Sequence, residues 1–117
     1  EIKLEWKDNL LFIHVMGPFN QEGSIAAINH FRESVKASGL TLWYRLEIWG
    51  DGAMGTPEAL SNSSEVYEWS IEHGCLATAV VVQGVFQTSI AQDLLPESVK
   101  IFSDENEALL WLEKQMI

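Results

Sequence analysis

Apolar residues fall into five stretches of the chain that predict β-strands. Residues 2–7 alternate between apolar and charged side chains, which is typical of a strand with one exposed face. Residues 10–16, 42–49 and 76–82 are nearly continuous apolar runs, which favour strands covered on both faces. Residues 99–102 form a shorter run of the same kind. We therefore expect the three long runs to be neighbours at the centre of one sheet.

The stretches between these strands predict helices with recognisable ends. The first helix lies between a capping residue, Asn20, and a glycine that ends it, Gly39. Its apolar positions recur at helical spacing and are expected to face the core: Ile25, Ile28, Phe31 and Val35. The second helix follows Thr56, placed as the N-cap, and Pro57, placed at the first helical position. It is expected to run to about residue 73, before Gly74.

Two more helices are predicted in the second half of the chain. Residues 84–95 form a short one, with Phe86, Ile90 and Leu94 spaced four residues apart. Asp104 followed by Glu107 is a capping-box pattern that begins the last helix. That helix is expected to bury a set of apolar residues: Ala108, Leu109, Leu112 and Met116.

The order β-β-α-β-α-β-α-β-α predicts one α/β domain over residues 1–117. An N-terminal hairpin, turning at Asp8-Asn9, leads into alternating strands and helices. Such alternation produces a mostly parallel sheet of four or five strands with right-handed crossovers and helices on both faces.

Composition narrows the classes of function. The formal net charge is −10, from 17 acidic and 7 basic residues, and this argues against nucleic acids and anionic membranes as partners. The single cysteine, Cys75, cannot form an internal disulfide, so a reducing cytoplasm is the expected location. No apolar run approaches the roughly 20 residues that span a bilayer.

Residues 50–55 form a glycine-rich turn between a predicted central strand and the second helix. Gly50, Gly52 and Gly55 match G-x-G-x-x-G, so the turn is a possible anion-binding site for a nucleotide. The acidic residue expected after the next strand is missing, since Val82 is followed by Gln83. The alternative is a turn in which glycine permits a positive φ. Asp51 could act as a general base, but a surface carboxylate capping the turn is the simpler interpretation.

The remaining reactive side chains do not form a recognisable catalytic or metal-binding pattern. His14, His30 and His73 are not spaced as metal ligands, either with one another or with Cys75. His14 lies in an apolar strand and is expected to be a hydrogen-bonded core residue. No nucleophile elbow or Ser, His and Asp arrangement is visible. We therefore expect no metal, no cofactor and no enzymatic activity.

The second helix carries an acidic stripe. Four glutamates fall within a wedge of about 80° at 100° per residue: Glu58, Glu65, Glu68 and Glu72. Leu60, Tyr67 and Ile71 lie on the opposite side and are expected to face the core. Trp69 lies within the acidic wedge, where an exposed aromatic residue would mark a protein partner or a homodimer contact. The alternative is that Trp69 packs on its own domain.

Four segments together resemble the SpoIIAA-like group, whose fold is shared by STAS domains, the anti-sigma-factor antagonists. These segments are LLFIHVMG at 10–17, LWYRLEIWGD at 42–51, TAVVVQG at 78–84 and KIFSDENEALLWLEKQ at 100–115. The resemblance implies the same α/β fold and a bacterial regulatory protein that binds a kinase partner. In that family a serine in a motif like Asp-Ser-Ser-Gly is phosphorylated at the start of the helix after the central strand. Here that stretch contains no serine, and its only hydroxyl, on Thr56, is already assigned to the helix cap.

These observations favour a non-catalytic binding or regulatory module that uses the face around residues 50–73. The expected partner-binding residues are Asp51, Thr56, Glu65, Trp69 and Glu72. One alternative is a carrier of a small apolar, lipid-like ligand, since five Trp, five Phe and three Met could line a pocket. Another is a small enzyme or nucleotide binder that uses the glycine turn.

Overall fold

The three long apolar runs lie side by side in the middle of a five-stranded sheet. The computed structural model describes residues 1–50, 52–55 and 57–116, apart from the side chains of 54, 55 and 57–64. Its elements in chain order are β1 (Ile2–Lys7), β2 (Leu10–Val15), β3 (Pro18–Phe19), α1 (Gln21–Ser38), β4 (Trp43–Trp49), β5 (Met54–Gly55), α2 (Pro57–Glu72), β6 (Cys75–Val81), α3 (Gly84–Leu94), β7 (Val99–Phe102) and α4 (Glu105–Gln115). The strand order β1-β2-β4-β6-β7 confirms the predicted placement of the long runs.

Strand directions also agree with the prediction. β1 and β2 are antiparallel, and every other neighbouring pair in this sheet is parallel. The hairpin turns at Asp8, whose φ of 54° lies in the left-handed region. The register places Leu11 beside Arg45 and Arg45 beside Thr78, so these three side chains share one face.

Helices cover both faces of the sheet. One face packs against α1, α2 and α3, and Phe31, Val66 and Ala91 contribute to its core clusters. The other face packs against α4 through Leu46, Ala79, Leu112 and other buried residues. Burial on both sides explains why β4 and β6 are almost continuously apolar. None of the described helices is long and apolar enough to cross a membrane.

Helix ends follow local chemistry. The Asn20 side chain accepts a 2.7 Å hydrogen bond from the Gly23 amide, and Asp104 accepts one of 3.2 Å from the Glu107 amide. Gly39 ends α1 with a φ of 69°. The chain also takes a left-handed conformation after α2, at Gly74, where φ is 98°. These predicted caps and stops are confirmed, whereas the predicted cap Thr56 lies outside the described residues.

Several predictions of which side chains are buried were wrong. His14 is exposed rather than a core residue: α4 packs mainly against β4, β6 and β7, and His14 lies beyond the part of β2 that joins the core on that face. Ile25 is exposed, since the buried line of α1 runs through Ser24 to Val35. Ile71, expected to face the core, is 52% exposed. The buried faces of α1 and α2 are therefore rotated from those that hydrophobicity alone indicates, whereas Ala108 and Leu112 of α4 are buried as predicted.

A second, very short sheet joins the two turns that follow β2 and β4. β3 and β5 pair in parallel, with Pro18 opposite Met54 and Phe19 opposite Gly55. Two-residue strands have no detectable periodicity, so the sequence did not predict them. The pairing places the glycine-rich turn beside the start of α1.

Candidate functional site

The glycine-rich turn leaves the sheet at the carboxyl end of its central strand. The Gly50 amide donates a 2.9 Å hydrogen bond to the Val15 carbonyl, and the Gly50 carbonyl accepts one of 3.2 Å from Ala53. A Cβ at Gly50 would lie 3.3 Å from the Val15 oxygen, and Gly52 has a φ of 76°. The close approach of the Val15 oxygen thus explains the glycine at position 50, and the positive φ explains the glycine at position 52 of the predicted anion-binding turn. Asp51 lies outside the described residues, and nothing is described for Gly55 beyond its place in β5.

A buried amide ties this turn to the start of α3. The side chain of Gln87 is buried, although Phe86 and not Gln87 was expected on the apolar stripe of this helix. Its Oε1 accepts a 2.8 Å hydrogen bond from the Gln83 amide, and its Nε2 donates one of 2.9 Å to the Gly50 carbonyl. The turn after β4 and the helix after β6 are therefore directly bonded to each other.

Two apolar side chains stand exposed beside this junction. Val85 is 88% exposed and Phe86 is 61% exposed, both in the first turn of α3. We call this surface, formed by Gly50, Gly52, Val85 and Phe86, the turn edge.

The same end of the sheet holds the amino ends of the other helices, because each crossover helix runs antiparallel to the parallel strands. Several exposed acids lie at those helix starts: Glu22, Asp104, Glu105 and Glu107.

The predicted acidic stripe is only partly as expected. Glu65, Glu68 and Glu72 are exposed on α2. Trp69 is half-buried, with its ring 5.7 Å from that of Phe31 and stacked 4.1 Å from that of His73.

Of the two alternatives for Trp69, these ring contacts agree with packing on its own domain. The buried residues of α2 include Val66, Tyr67 and Ser70. With these residues facing the core, Trp69 is directed towards α1. A role of Trp69, Glu65 or Glu72 in partner binding stays a prediction, as it does for Asp51 and Thr56, which lie outside the described residues.

A buried ion pair lies under α2, and sequence reasoning missed it. Arg45 and Glu47 are both buried in β4, where Arg45 Nη2 lies 2.6 Å from Glu47 Oε1. The other carboxylate oxygen, Oε2, accepts hydrogen bonds from Trp49 Nε1 at 2.8 Å and from the Tyr67 hydroxyl at 2.5 Å. The signal was present, because residues two apart on a strand covered on both faces point to the same side.

Arg45 also connects the sheet to both helices above it. Its guanidinium carbon lies 4.6 Å from the centre of the Phe31 ring in α1 and 4.4 Å from that of Tyr67 in α2. Its Nη1 donates a 3.2 Å hydrogen bond to Ser70 Oγ. Aromatic rings and a carboxylate as neighbours stabilise a buried cation such as this one.

The electrostatics of this cluster fix its protonation. Burial opposes ionisation of Glu47, but the charge of Arg45 and the hydrogen bonds from Tyr67, Trp49 and Arg45 outweigh it and lower its pKa. Burial and the nearby Glu47 carboxylate raise the pKa of Tyr67 well above its usual value. Glu47 is thus ionised and paired with Arg45, and the Tyr67 phenol is neutral. Neither the carboxyl group nor the phenol titrates near neutral pH.

The other predicted reactive residues are dispersed. His30 is exposed, and Cys75 is buried with its Sγ 3.3 Å from Thr78 Oγ1. Burial raises the pKa of the Cys75 thiol, which keeps it protonated. Among the residues that the structure describes, no group of three or more His, Cys, Asp or Glu could hold a metal ion.

A groove of about 710 Å3 opens between the start of β1 and the first half of α1. Its lining mixes polar and apolar residues: Glu1, Ile2, Pro18, Phe19, Asn20, Gly23, Ala26, Ala27 and His30. It is open to solvent at the edge of the sheet, whereas a carrier of apolar ligands needs a largely enclosed pocket. Binding of an apolar ligand stays a prediction.

The strand order and helix placement define a SpoIIAA-like α/β fold, and solved structures confirm it. An uncharacterised DUF3478-family protein with a SpoIIAA-like fold, from Shewanella loihica PV-4, matches with a TM-score of 0.60 and 22% identity over 96% of this chain and 92% of that one. The anti-sigma factor antagonist SpoIIAA in its unphosphorylated form gives a TM-score of 0.62 and 10% identity over 97% and 98% of the two chains. The Bacillus cell fate determinant SpoIIAA in the phosphorylated form gives 0.59 and 11% over 96% and 99%.

At these identities the likeness concerns the fold. No protein-family model matches the sequence, and no curated protein matches it significantly.

Proposed function

We propose that this domain is a non-catalytic regulatory module that binds a protein partner through the turn edge. The observation that carries the proposal is the exposure of Val85 and Phe86 next to a turn that is bonded in place. Adjacent exposed apolar side chains on a fixed backbone are typical of a contact surface. The shared fold with an anti-sigma factor antagonist supports a regulatory role.

The charge around this surface indicates the chemistry of the partner. Exposed acids lie at the same end of the sheet, at the starts of α1 and α4, and Glu65, Glu68 and Glu72 are exposed along α2. We propose that Asp51 and Thr56 take part in the same contact, because they are next to Gly50, Gly52 and Gly55 in the sequence. A partner that presents basic side chains around an apolar contact would complement this arrangement. We propose Trp69 as a support for α2 rather than as the anchor.

The absence of catalysis is part of the proposal. The buried polar cluster engages both oxygens of Glu47 and the hydroxyl of Tyr67 in internal hydrogen bonds. A general base needs a side chain that can reach a substrate proton, and Glu47 is only 6% exposed.

Phosphorylation is proposed not to act at Thr56. The sequence predicts this hydroxyl as the cap of α2, and capping uses the same oxygen that a phosphate would occupy. Mass spectrometry of protein isolated from its native cell should find Thr56 unmodified. Stoichiometric phosphate on Thr56 would instead support a switch like that of phosphorylated SpoIIAA.

Site-specific photo-crosslinking tests the location of the surface. A photo-reactive amino acid replaces Val85 in one variant and, as a control, Leu76 in another, which is 55% exposed near the opposite end of β6. Crosslinking in the native cell should give a discrete protein adduct from position 85 and none from position 76. The substitution Phe86→Asp and added salt should both reduce the adduct. Equal labelling from both positions, or no adduct from position 85, would overturn the proposal.

A further inference from the structure

The orientation of the Gln87 amide is fixed by its two partners. The backbone N–H of Gln83 can only donate, so it must face Oε1, and the Gly50 carbonyl can only accept, so it must face Nε2. The residue is 7% exposed, so it cannot itself contribute much contact area to a partner. A buried amide with both ends bonded is costly to replace, which suggests a specific role for it.

We infer that Gln87 is a positioning residue that holds the Gly50 turn and the Val85–Phe86 pair in one fixed arrangement. Gly50 is held from two sides, because its amide bonds to Val15 in β2 and its carbonyl bonds to Gln87 in α3. Val85 and Phe86 lie between Gln83, the N-cap of α3, and Gln87, whose side chain accepts a hydrogen bond from the Gln83 amide. The use of this arrangement in partner binding rests on the proposed function. Whether Gln87 holds the turn in place can be tested without a partner.

One substitution separates the two hydrogen bonds. Gln87→Glu keeps an acceptor for the Gln83 amide but replaces the donor to Gly50 with a carboxylate oxygen, which repels the carbonyl. Lowering the pH protonates the introduced carboxyl and restores a donor at that position. Gln87→Met has a similar shape and removes both bonds at every pH, so it serves if the buried charge prevents folding.

A neighbouring residue provides the matched control. Thr88 Oγ1 donates a 2.7 Å hydrogen bond to the Gly84 carbonyl within the same helix. Thr88→Val removes one hydrogen bond from the start of α3 without changing the link to the turn. A general weakening of α3 would therefore appear in both variants, whereas loss of positioning would appear only in those at Gln87.

The Ala53 amide reports on the turn, because it donates to the same Gly50 carbonyl that accepts from Gln87. Its protection against hydrogen exchange, corrected for pH, should fall about tenfold in Gln87→Glu at neutral pH and in Gln87→Met. Protection should recover in Gln87→Glu as the pH is lowered and should stay unchanged in Thr88→Val. Unchanged protection of Ala53 in both Gln87 variants, or an equal loss in Thr88→Val, would overturn the inference.

The adduct formed from position 85 tests the consequence for binding. Gln87→Met should reduce its yield several-fold, and Thr88→Val should not. A lower Ala53 protection with an unchanged yield would show that the partner does not need the fixed arrangement, which overturns that half of the inference. If the parent protein gives no adduct at all, the proposed function fails, while the exchange data still decide whether Gln87 positions the turn.

Discussion

The hydroxyl of Tyr67, in α2, donates a 2.5 Å hydrogen bond to Oε2 of Glu47, in the central strand β4. The same oxygen accepts from Trp49, the last residue of β4 before the glycine turn. One carboxylate therefore joins the sheet, the entry to the turn and the helix that follows the turn. Arg45 compensates its charge at 2.6 Å.

Glu47→Gln should destabilise the domain strongly. It leaves the guanidinium of Arg45 buried without an opposite charge, and breaking a buried ion pair from one side typically costs about 3–5 kcal/mol. Urea unfolding of the two proteins measures the difference. The control is Glu65→Gln on the exposed face of α2, which should change stability by about 0.5 kcal/mol or less. Equal effects of the two substitutions would show that the Arg45 guanidinium is tolerated without the Glu47 charge.

The stability of the domain should fall at both extremes of pH for separate reasons. The folded pKa of Glu47 is lowered from 4.5, so its contribution is complete above that pH and is lost as the pH falls towards the folded pKa. The folded pKa of Tyr67 is raised from 10.0, so its contribution is complete below that pH and is lost as the pH rises towards the folded pKa. Chemical unfolding across pH should show both declines, and Tyr67→Phe should reduce the alkaline one, to which the raised pKa of the Cys75 thiol also contributes.

Trp69→Ala should lower the melting temperature. The ring packs against Phe31 and His73, so its removal leaves a gap between α1 and α2 that we expect to cost roughly 2 kcal/mol. Ile71→Ala, at an exposed position on the same helix, is the control and should have little effect. Thermal unfolding is paired with analytical ultracentrifugation of each variant. A stable Trp69→Ala protein whose association is weakened would restore Trp69 as a contact residue.

Gly74→Ala should be far more damaging than Gly39→Ala. Both glycines have a positive φ, so a side chain at either position costs about 1–2 kcal/mol of backbone strain. At Gly74 the added Cβ would also clash with the Thr41 carbonyl oxygen, while no described atom lies within 4 Å of the corresponding position at Gly39. Denaturant midpoints compare the two variants directly. Similar midpoints would mean that the loop at Thr41 moves aside without cost.

The sequence predicted what depends on local chemistry and on long apolar runs. The caps at Asn20 and Asp104 use side chains within three residues of the amides they bind. The central strands were recognisable because burial on both faces leaves few polar positions. The order of elements then restricted the topology to a small number of arrangements.

The faces of the helices were not predictable in the same way. Ser70 is fully buried and Ile71 is exposed. The small side chain of Ser70 fits between α2 and the sheet, where it accepts a hydrogen bond from Arg45. Gln87 is buried beside exposed Phe86 because its amide satisfies two backbone groups. In both helices a tertiary polar contact, formed with residues distant in sequence, decides the rotation, and hydrophobic periodicity does not report such contacts.

The position of Arg45 between an aromatic ring of α1 and one of α2 restricts how this chain can diverge. Replacing either charge of the Arg45–Glu47 pair alone leaves the other without compensation, whereas an apolar pair of similar volume could fill the same space. Substitutions at the two positions should therefore arise together, with Tyr67 free to become phenylalanine only afterwards. In an alignment of sequence relatives, Arg45 and Glu47 should be retained or lost as a unit.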